Sequence, residues 1–248
     1  MARYQLILAY DGTDFSGFQR QGKTRTVQKV VEQALAELGW QEDTILFAGR
    51  TDAGVHASGQ VIGFSLEWQH EDVTLLNALN ARMPVDVSVM QISRTEAEFH
   101  PRYDASSRSY AYTLYHLPQR HPLLERNAWR IWPGLEGAPL NDAARVFLGW
   151  HDFAAFGRAM KKDASTTREV IESRWIETSN GWRYEITANA FLYHMVRRLV
   201  FVQVRAAQGF LSLQNLEEGL QCQVKLKPGL APPNGLVLTR VDYDNKAR

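Results

Sequence analysis

Apolar and polar positions alternate along this chain in two rhythms. Tyr4 to Tyr10 is a short apolar run that stops at Asp11-Gly12, which predicts a strand ending in a turn. Thr26 then reads as an N-cap. Val27, Val30, Val31, Ala34, Leu35 and Leu38 follow at helical spacing, and Gly39 closes the helix. Thr44 to Ala48 predicts a short strand. Gly59 to Leu66 predicts another, with Gln60, Ile62, Phe64 and Leu66 on one face. Val73 to Met83 has a helical pattern stopped by Pro84, and Val85 to Ile92 returns to strand.

The second half repeats the theme with additions. Ser107 to Tyr115 is a strand with Tyr110, Tyr112 and Leu114 on one face. A loop-rich stretch carries Pro118, Pro122, Pro133 and Pro139, and Leu140 to Leu148 is a short helix. Glu169 to Thr178 and Trp182 to Ala190 predict a hairpin through Ser179-Asn180-Gly181. Tyr193 to Gln208 and Leu213 to Gln221 predict helices, and Leu236 to Tyr243 a closing strand. The expected class is α+β, with two βαββαβ-like halves, 1–103 and 104–248. They would join into one mixed, mainly antiparallel sheet with helices on one side. The repeat is one of element order, without residue-level self-similarity.

Composition narrows the class. The chain has 248 residues, 45% of them hydrophobic and 22% charged, as expected for a globular enzyme or binding protein. Its lone cysteine, Cys222, excludes an internal disulfide framework and a Cys-rich metal site. No apolar run reaches the ~20 residues of a membrane helix. The N-terminus runs straight into a strand-like pattern with no signal-peptide core, so a cytoplasmic protein is expected. Net charge is only +1, so a nucleic-acid partner would need locally concentrated charge. Candidates are Arg102 with Arg108, Arg158 with Lys161, Lys162 and Arg168, and Arg197 with Arg198 and Arg205. Each cluster also reads as an ordinary solvated face.

Candidate chemistry centres on Asp52, in the run Phe47-Ala48-Gly49-Arg50-Thr51-Asp52-Ala53-Gly54-Val55-His56-Ala57. A carboxylate held in such a loop can act as nucleophile or base. Asp and Gly are also turn formers, so the run can equally serve to reverse the chain. The segment Ala9 to Gln21 lacks the spacing of a dinucleotide fingerprint or a P-loop. Tyr110 can fill a strand face or stack on a base. Helical spacing puts Arg197 on an apolar stripe with Tyr193, Val200, Phe201 and Val204. There it either pairs with an acid such as Asp52 or snorkels to solvent. His194, Arg198 and Arg205 line up beside it as a candidate phosphate-facing ridge. The histidines show no zinc-ligand spacing, so no metal is expected.

These segments together resemble the TruA-type tRNA pseudouridine synthases. The carrying motifs are Ala48-Gly49-Arg50-Thr51-Asp52-Ala53-Gly54-Val55-His56, Tyr10-Asp11-Gly12 with Gly17-Phe18-Gln19-Arg20-Gln21, and Phe99-His100-Pro101-Arg102 before Arg108-Ser109-Tyr110. Asp152-Phe153, Ala188 through Arg197 and Gly235-Leu236 complete the set, in the family's order across nearly the whole chain. Phe18 stands where a tryptophan is common, and Arg198 where an asparagine is common.

The resemblance implies a central basic cleft, a homodimer, and isomerisation of uridine to pseudouridine at positions 38, 39 and 40 of the tRNA anticodon stem-loop. It implies Asp52 as nucleophile, Tyr110 as a catalytic residue stacked on the target base and open to a part in proton transfer, Arg197 as the partner of Asp52, and Leu236 as a wall of the base pocket. Arg50 would hold the displaced nucleotide or its backbone. Arg20, Gln21, Thr51, His56, Arg102, Arg108 and Arg198 are the further tRNA-binding candidates. The reaction breaks N1–C1′ and joins C5 to C1′ with no redox or group transfer, so no cofactor is required. Attack at C1′, a glycal route and addition at C6 are all open to a carboxylate. A glycoside hydrolase would need a second carboxylate as acid/base, which no motif supplies. A non-catalytic RNA-binding module would need basic and aromatic surface but no acid at Asp52.

Overall fold

The computed structural model describes residues 1–161, 163–221 and 226–244, so Lys162 and Cys222 lie outside the described residues. The chain forms two compact units: Met1–Ser106 together with the segment from Val237 onward, and Ser107–Leu236. The last strand, grouped above with the second half, belongs with the first unit because it pairs with a strand there.

In the first unit, β1 (Ala2–Tyr10), α1 (Val27–Ala36), β2 (Leu46–Phe47), β3 (His56–Leu66), α2 (Asp72–Asn80) and β4 (Val87–Arg94) follow the expected βαββαβ order. β1 lies between β4 and β3, antiparallel to both. Its alternation buries Tyr4, Leu6, Leu8 and Tyr10 on one face, and Tyr4 stacks on Phe64 across the ladder at 5.6 Å. β10 (Leu236–Tyr243) continues the sheet parallel to β3, with Val237 opposite His56. α1 buries Val27, Val31, Ala34 and Leu35, the stripe its sequence predicts. The strand expected over Thr44 to Ala48 shrinks to Leu46–Phe47. The reason is Glu32, whose buried carboxylate accepts from the Ile45 N–H (3.3 Å), the Thr44 hydroxyl (3.2 Å) and the Gln28 amide (2.7 Å). Those groups bond an acid instead of a ladder.

In the second unit, β5 (Ala105–Tyr115), α3 (Pro122–Glu125), β6 (Trp129–Arg130), α4 (Gly137–Arg145), β7 (Gly149–Asp152), β8 (Thr167–Thr178), β9 (Gly181–Ala188), α5 (Met195–Ala207) and α6 (Leu213–Leu220) succeed one another. The sheet order is β5-β9-β8-β7, all antiparallel, with β6 parallel to β5. The predicted hairpin is present, with Thr178 opposite Gly181. α5 buries Met195, Val196, Leu199, Val200, Val202 and Val204. Beside it, Gln203 accepts from the Trp175 indole at 2.7 Å. The sheets are mainly antiparallel in both units, which is the α+β class expected.

Candidate active site

The Asp52 loop joins β2 to β3, and the connection after β1 holds it in place. Thr51 is buried, and its hydroxyl shares a 2.8 Å hydrogen bond with the Tyr10 hydroxyl at the end of β1. Burial pushes the Tyr10 hydroxyl up to about 12, against the lowering effect of its bonds to Thr51 and Gln60, so it stays protonated at neutral pH. The Phe18 N–H donates to the Thr51 carbonyl (3.1 Å), and the Gly54 N–H to the Phe15 carbonyl (3.3 Å). The Asp52 carbonyl accepts from the Val55 N–H (3.1 Å), closing a turn. The backbone is thus tied on both sides of a half-buried Asp52.

Two glycines make this approach possible. A Cβ on Gly12 would lie 2.0 Å from the Val55 carbonyl oxygen. One on Gly17, at φ +93°, would lie 2.9 Å from the Thr51 oxygen and 3.3 Å from the Ala53 nitrogen. His56 is buried at the start of β3, where its Nδ1 accepts from the Gly12 N–H at 3.0 Å. The same nitrogen lies 3.2 Å from Asp11 Oδ1. It cannot accept from Gly12 and donate to Asp11 together. Asp11 Oδ1 also accepts from the Thr13 N–H and hydroxyl.

Several residues of the matched motifs make contacts within the protein. Thr51 and His56 brace the loop. Arg20 pairs with Glu32 at 2.9 Å and reaches the Asp43 carbonyl. Gln21 donates to the Ser16 carbonyl. Phe18, fully buried, packs on Phe47 (4.8 Å) and Tyr10 (6.1 Å). Arg50 and Arg102 are exposed.

In the second unit, Tyr110 sits mid-strand on β5 opposite Ile186, half-buried, with Phe191 edge-on to its ring at 5.1 Å. Arg108, on the same strand, donates to the Asn189 carbonyl at 2.9 Å, tying β5 to the segment that leads into α5. Arg197 and Arg198 both reach the segment before β10. Arg197 Nε donates to the Ala231 carbonyl (2.8 Å), and the Ala231 N–H returns a bond to the Arg197 carbonyl (3.1 Å). Tyr112 donates to the neighbouring Pro232 carbonyl. Burial pushes its hydroxyl well above the tyrosine range, with the Arg197 charge opposing. Leu236 is buried.

The phosphate-facing ridge is corrected at Arg198. This side chain is only 7% exposed and donates to the Gly229 carbonyl at 2.9 Å. Desolvation lowers its pKa from the usual arginine value. Helical spacing also places His194 in the helix, whereas it caps it from a left-handed conformation at φ +64°. Tyr10, Gly17 and Phe191 stand in the motifs above without a role assigned to them, and the Ala231 carbonyl is a site-building group that sequence pattern does not single out. No group of three His, Cys, Asp or Glu among the described residues is placed to hold a metal. No described helix is long and apolar enough to cross a membrane.

Comparison with known proteins decides the family. A family model described as tRNA pseudouridine synthase matches residues 6–104 and 143–244. The chain belongs to the tRNA pseudouridine synthase family. It is therefore an isomerase. Among curated relatives, tRNA pseudouridine synthase A of Methylacidiphilum infernorum is 39% identical over 97% of this chain and 95% of its own. The protein of the same name from Pseudothermotoga lettingae is 34% identical over 98% and 100%. That from Neisseria meningitidis is 35% identical over 97% and 92%. Both matched segments of this tRNA pseudouridine synthase carry a part described above. The first holds Asp52 and its brace, and the second holds Arg197 and Phe191.

Proposed function

We propose that the chain, acting as a homodimer, isomerises uridine to pseudouridine at positions 38, 39 and 40 of the tRNA anticodon stem-loop, with Asp52 as the nucleophile. The observation that carries the Asp52 assignment is the double tie of its loop, Phe18 to Thr51 on one side and Phe15 to Gly54 on the other. A loop that only reversed the chain would not need a neighbouring loop to clamp it. A nucleophile does, because a reacting carboxylate must be held in one orientation.

In the reaction the N1–C1′ bond breaks, the uracil turns, and C5 bonds to C1′. The hydrogen on C5 leaves to solvent as a proton and N1, which carries none in uridine, gains one, so atoms balance without a cofactor. Reaching C1′ requires the base to leave its stack, which costs a few kcal/mol. Stacking on Tyr110 would return ~1–3 kcal/mol. Phe191 supports that role, since an edge-on ring fixes the Tyr110 plane. Arg197 is the balancing cation of the set, with Nε already anchored on Ala231.

The test is release of tritium from tRNA carrying [5-³H]uridine. Asp52→Asn is expected to abolish release while leaving tRNA affinity within a few-fold. A wild-type protein that releases no tritium sinks the synthase reading, and a fully active Asp52→Asn sinks the role of Asp52. Carbodiimide mapping of tRNAs with a single uridine at 38, 39 or 40 tests the positions.

A further inference from the structure

Tyr103 is the most exposed aromatic side chain among the described residues, at 73%. Single exposed apolar residues are ordinary on protein surfaces. This one stands on a turn built to hold it. The His100 N–H donates to Asp104 Oδ2 at 2.8 Å, and the Asp104 N–H donates back to the His100 carbonyl at 3.1 Å. His100 Nδ1 accepts from the Arg102 N–H (3.1 Å), fixing the imidazole under the turn. That ring lies 4.2 Å from the Tyr103 ring, so a second ring supports the tyrosine. The turn is itself anchored, because Tyr243 donates to the Pro101 carbonyl (2.9 Å) and Arg3 to the Phe99 carbonyl (3.1 Å).

The Arg102 guanidinium lies 5.8 Å from the Tyr103 ring centre. A supported, solvent-facing aromatic with a cation beside it suits a nucleotide: the ring takes the base, and the guanidinium faces the phosphate. Pro101 packs on β3 at Gly63. His56, where the Asp52 loop ends, lies seven residues back along that strand, ~23 Å by strand rise. The nucleotide held here is therefore a different one from the base that reacts at Asp52.

We propose that Tyr103, supported by His100 and flanked by Arg102, is a stacking platform for an unpaired base of the bound tRNA, remote from the reacting uridine. The inference rests on tRNA being the substrate. Measured on labelled tRNA by anisotropy, Tyr103→Ala is expected to weaken binding ~5- to 100-fold, the range for loss of one stacked base. Turnover at saturating tRNA stays unchanged. Tyr103→Phe keeps the ring and is expected to bind within two-fold of wild type. Arg102→Gln is expected to reduce the salt slope of affinity by about one contact, where Tyr103→Ala leaves that slope alone.

If wild-type protein neither binds tRNA nor releases tritium, the tRNA reading itself fails. If wild type does both and Tyr103→Ala binds equally well, the platform alone is refuted. The platform is refuted equally if Tyr103→Phe loses as much affinity as Tyr103→Ala, or if sedimentation shows Tyr103→Ala weakening self-association instead of tRNA binding. Thermal midpoints of the variants within a degree or two of wild type confirm that the fold is intact.

Discussion

Gly17→Ala tests whether the brace around Asp52 governs catalysis. The added methyl carries two separable costs. Gly17 sits at φ +93°, a left-handed conformation in which an L side chain costs roughly 1–2 kcal/mol. The methyl would also lie 2.9 Å from the Thr51 carbonyl oxygen, 3.3 Å from the Ala53 nitrogen and 3.4 Å from the Asp52 carbonyl carbon. All three are backbone atoms of the loop that carries Asp52, so they yield only by moving the loop.

Gly39 supplies the control. Its φ is +90°, but a Cβ there meets nothing within 4 Å. Gly39→Ala therefore carries the backbone cost without the contact. Gly39→Ala should lose about 1–2 kcal/mol, a fall in thermal midpoint of about 2–8 °C for a chain of this size, and Gly17→Ala at least as much. Only Gly17→Ala should lose activity. A displacement of a few tenths of an ångström is smaller than the ~1 Å that costs ~100-fold, so a fall in kcat of about 10-fold is expected, with tRNA affinity kept. The assay is single-turnover tritium release at saturating tRNA, with chemical denaturation alongside. If Gly17→Ala turns over as fast as Gly39→Ala, the clamp on the Asp52 loop has no part in the reaction.

Other outcomes follow from the same geometry. Arg198→Ala should destabilise the fold by about 2 kcal/mol or more, since it removes a charged donor from the Gly229 carbonyl. It should leave the salt dependence of tRNA binding unchanged; a slope reduced by about 0.7–0.9 with stability intact would return Arg198 to phosphate binding. Alkaline stability should follow Tyr10 and Tyr184, whose hydroxyls burial pushes up to about 12. Below pH ~10 both are protonated folded and unfolded, so they add no slope. Between pH ~10 and ~12 the unfolded chain releases protons that the folded chain keeps. Stability should then fall by about 2–3 kcal/mol per tyrosine. Urea midpoints from pH 8 to 11.5 would show the drop and its reduction in Tyr10→Phe; a flat profile would refute it.

What can be read from sequence here follows the range over which each interaction acts. α1 is legible because its apolar stripe, Thr26 before it and Gly39 after it all lie within one helix length. α3 and β6, of four and two residues, are too short to show a period, so the proline-rich stretch reads only as loop. Arg198 is misplaced because a helical wheel shows which residues share a stripe and not what packs over that stripe. Here it is the segment at Gly229 and Ala231, which takes up both arginines. Asp52 is legible as a motif, while its brace is not. Tyr10-Asp11-Gly12 reads as a strand end and a turn, and it is one. Yet Gly12 is required because the Val55 carbonyl, far along the chain, leaves no room for a Cβ. Glycine marks a turn and a close approach with the same letter. Only the partner distinguishes them, and the partner is known once the chain has folded.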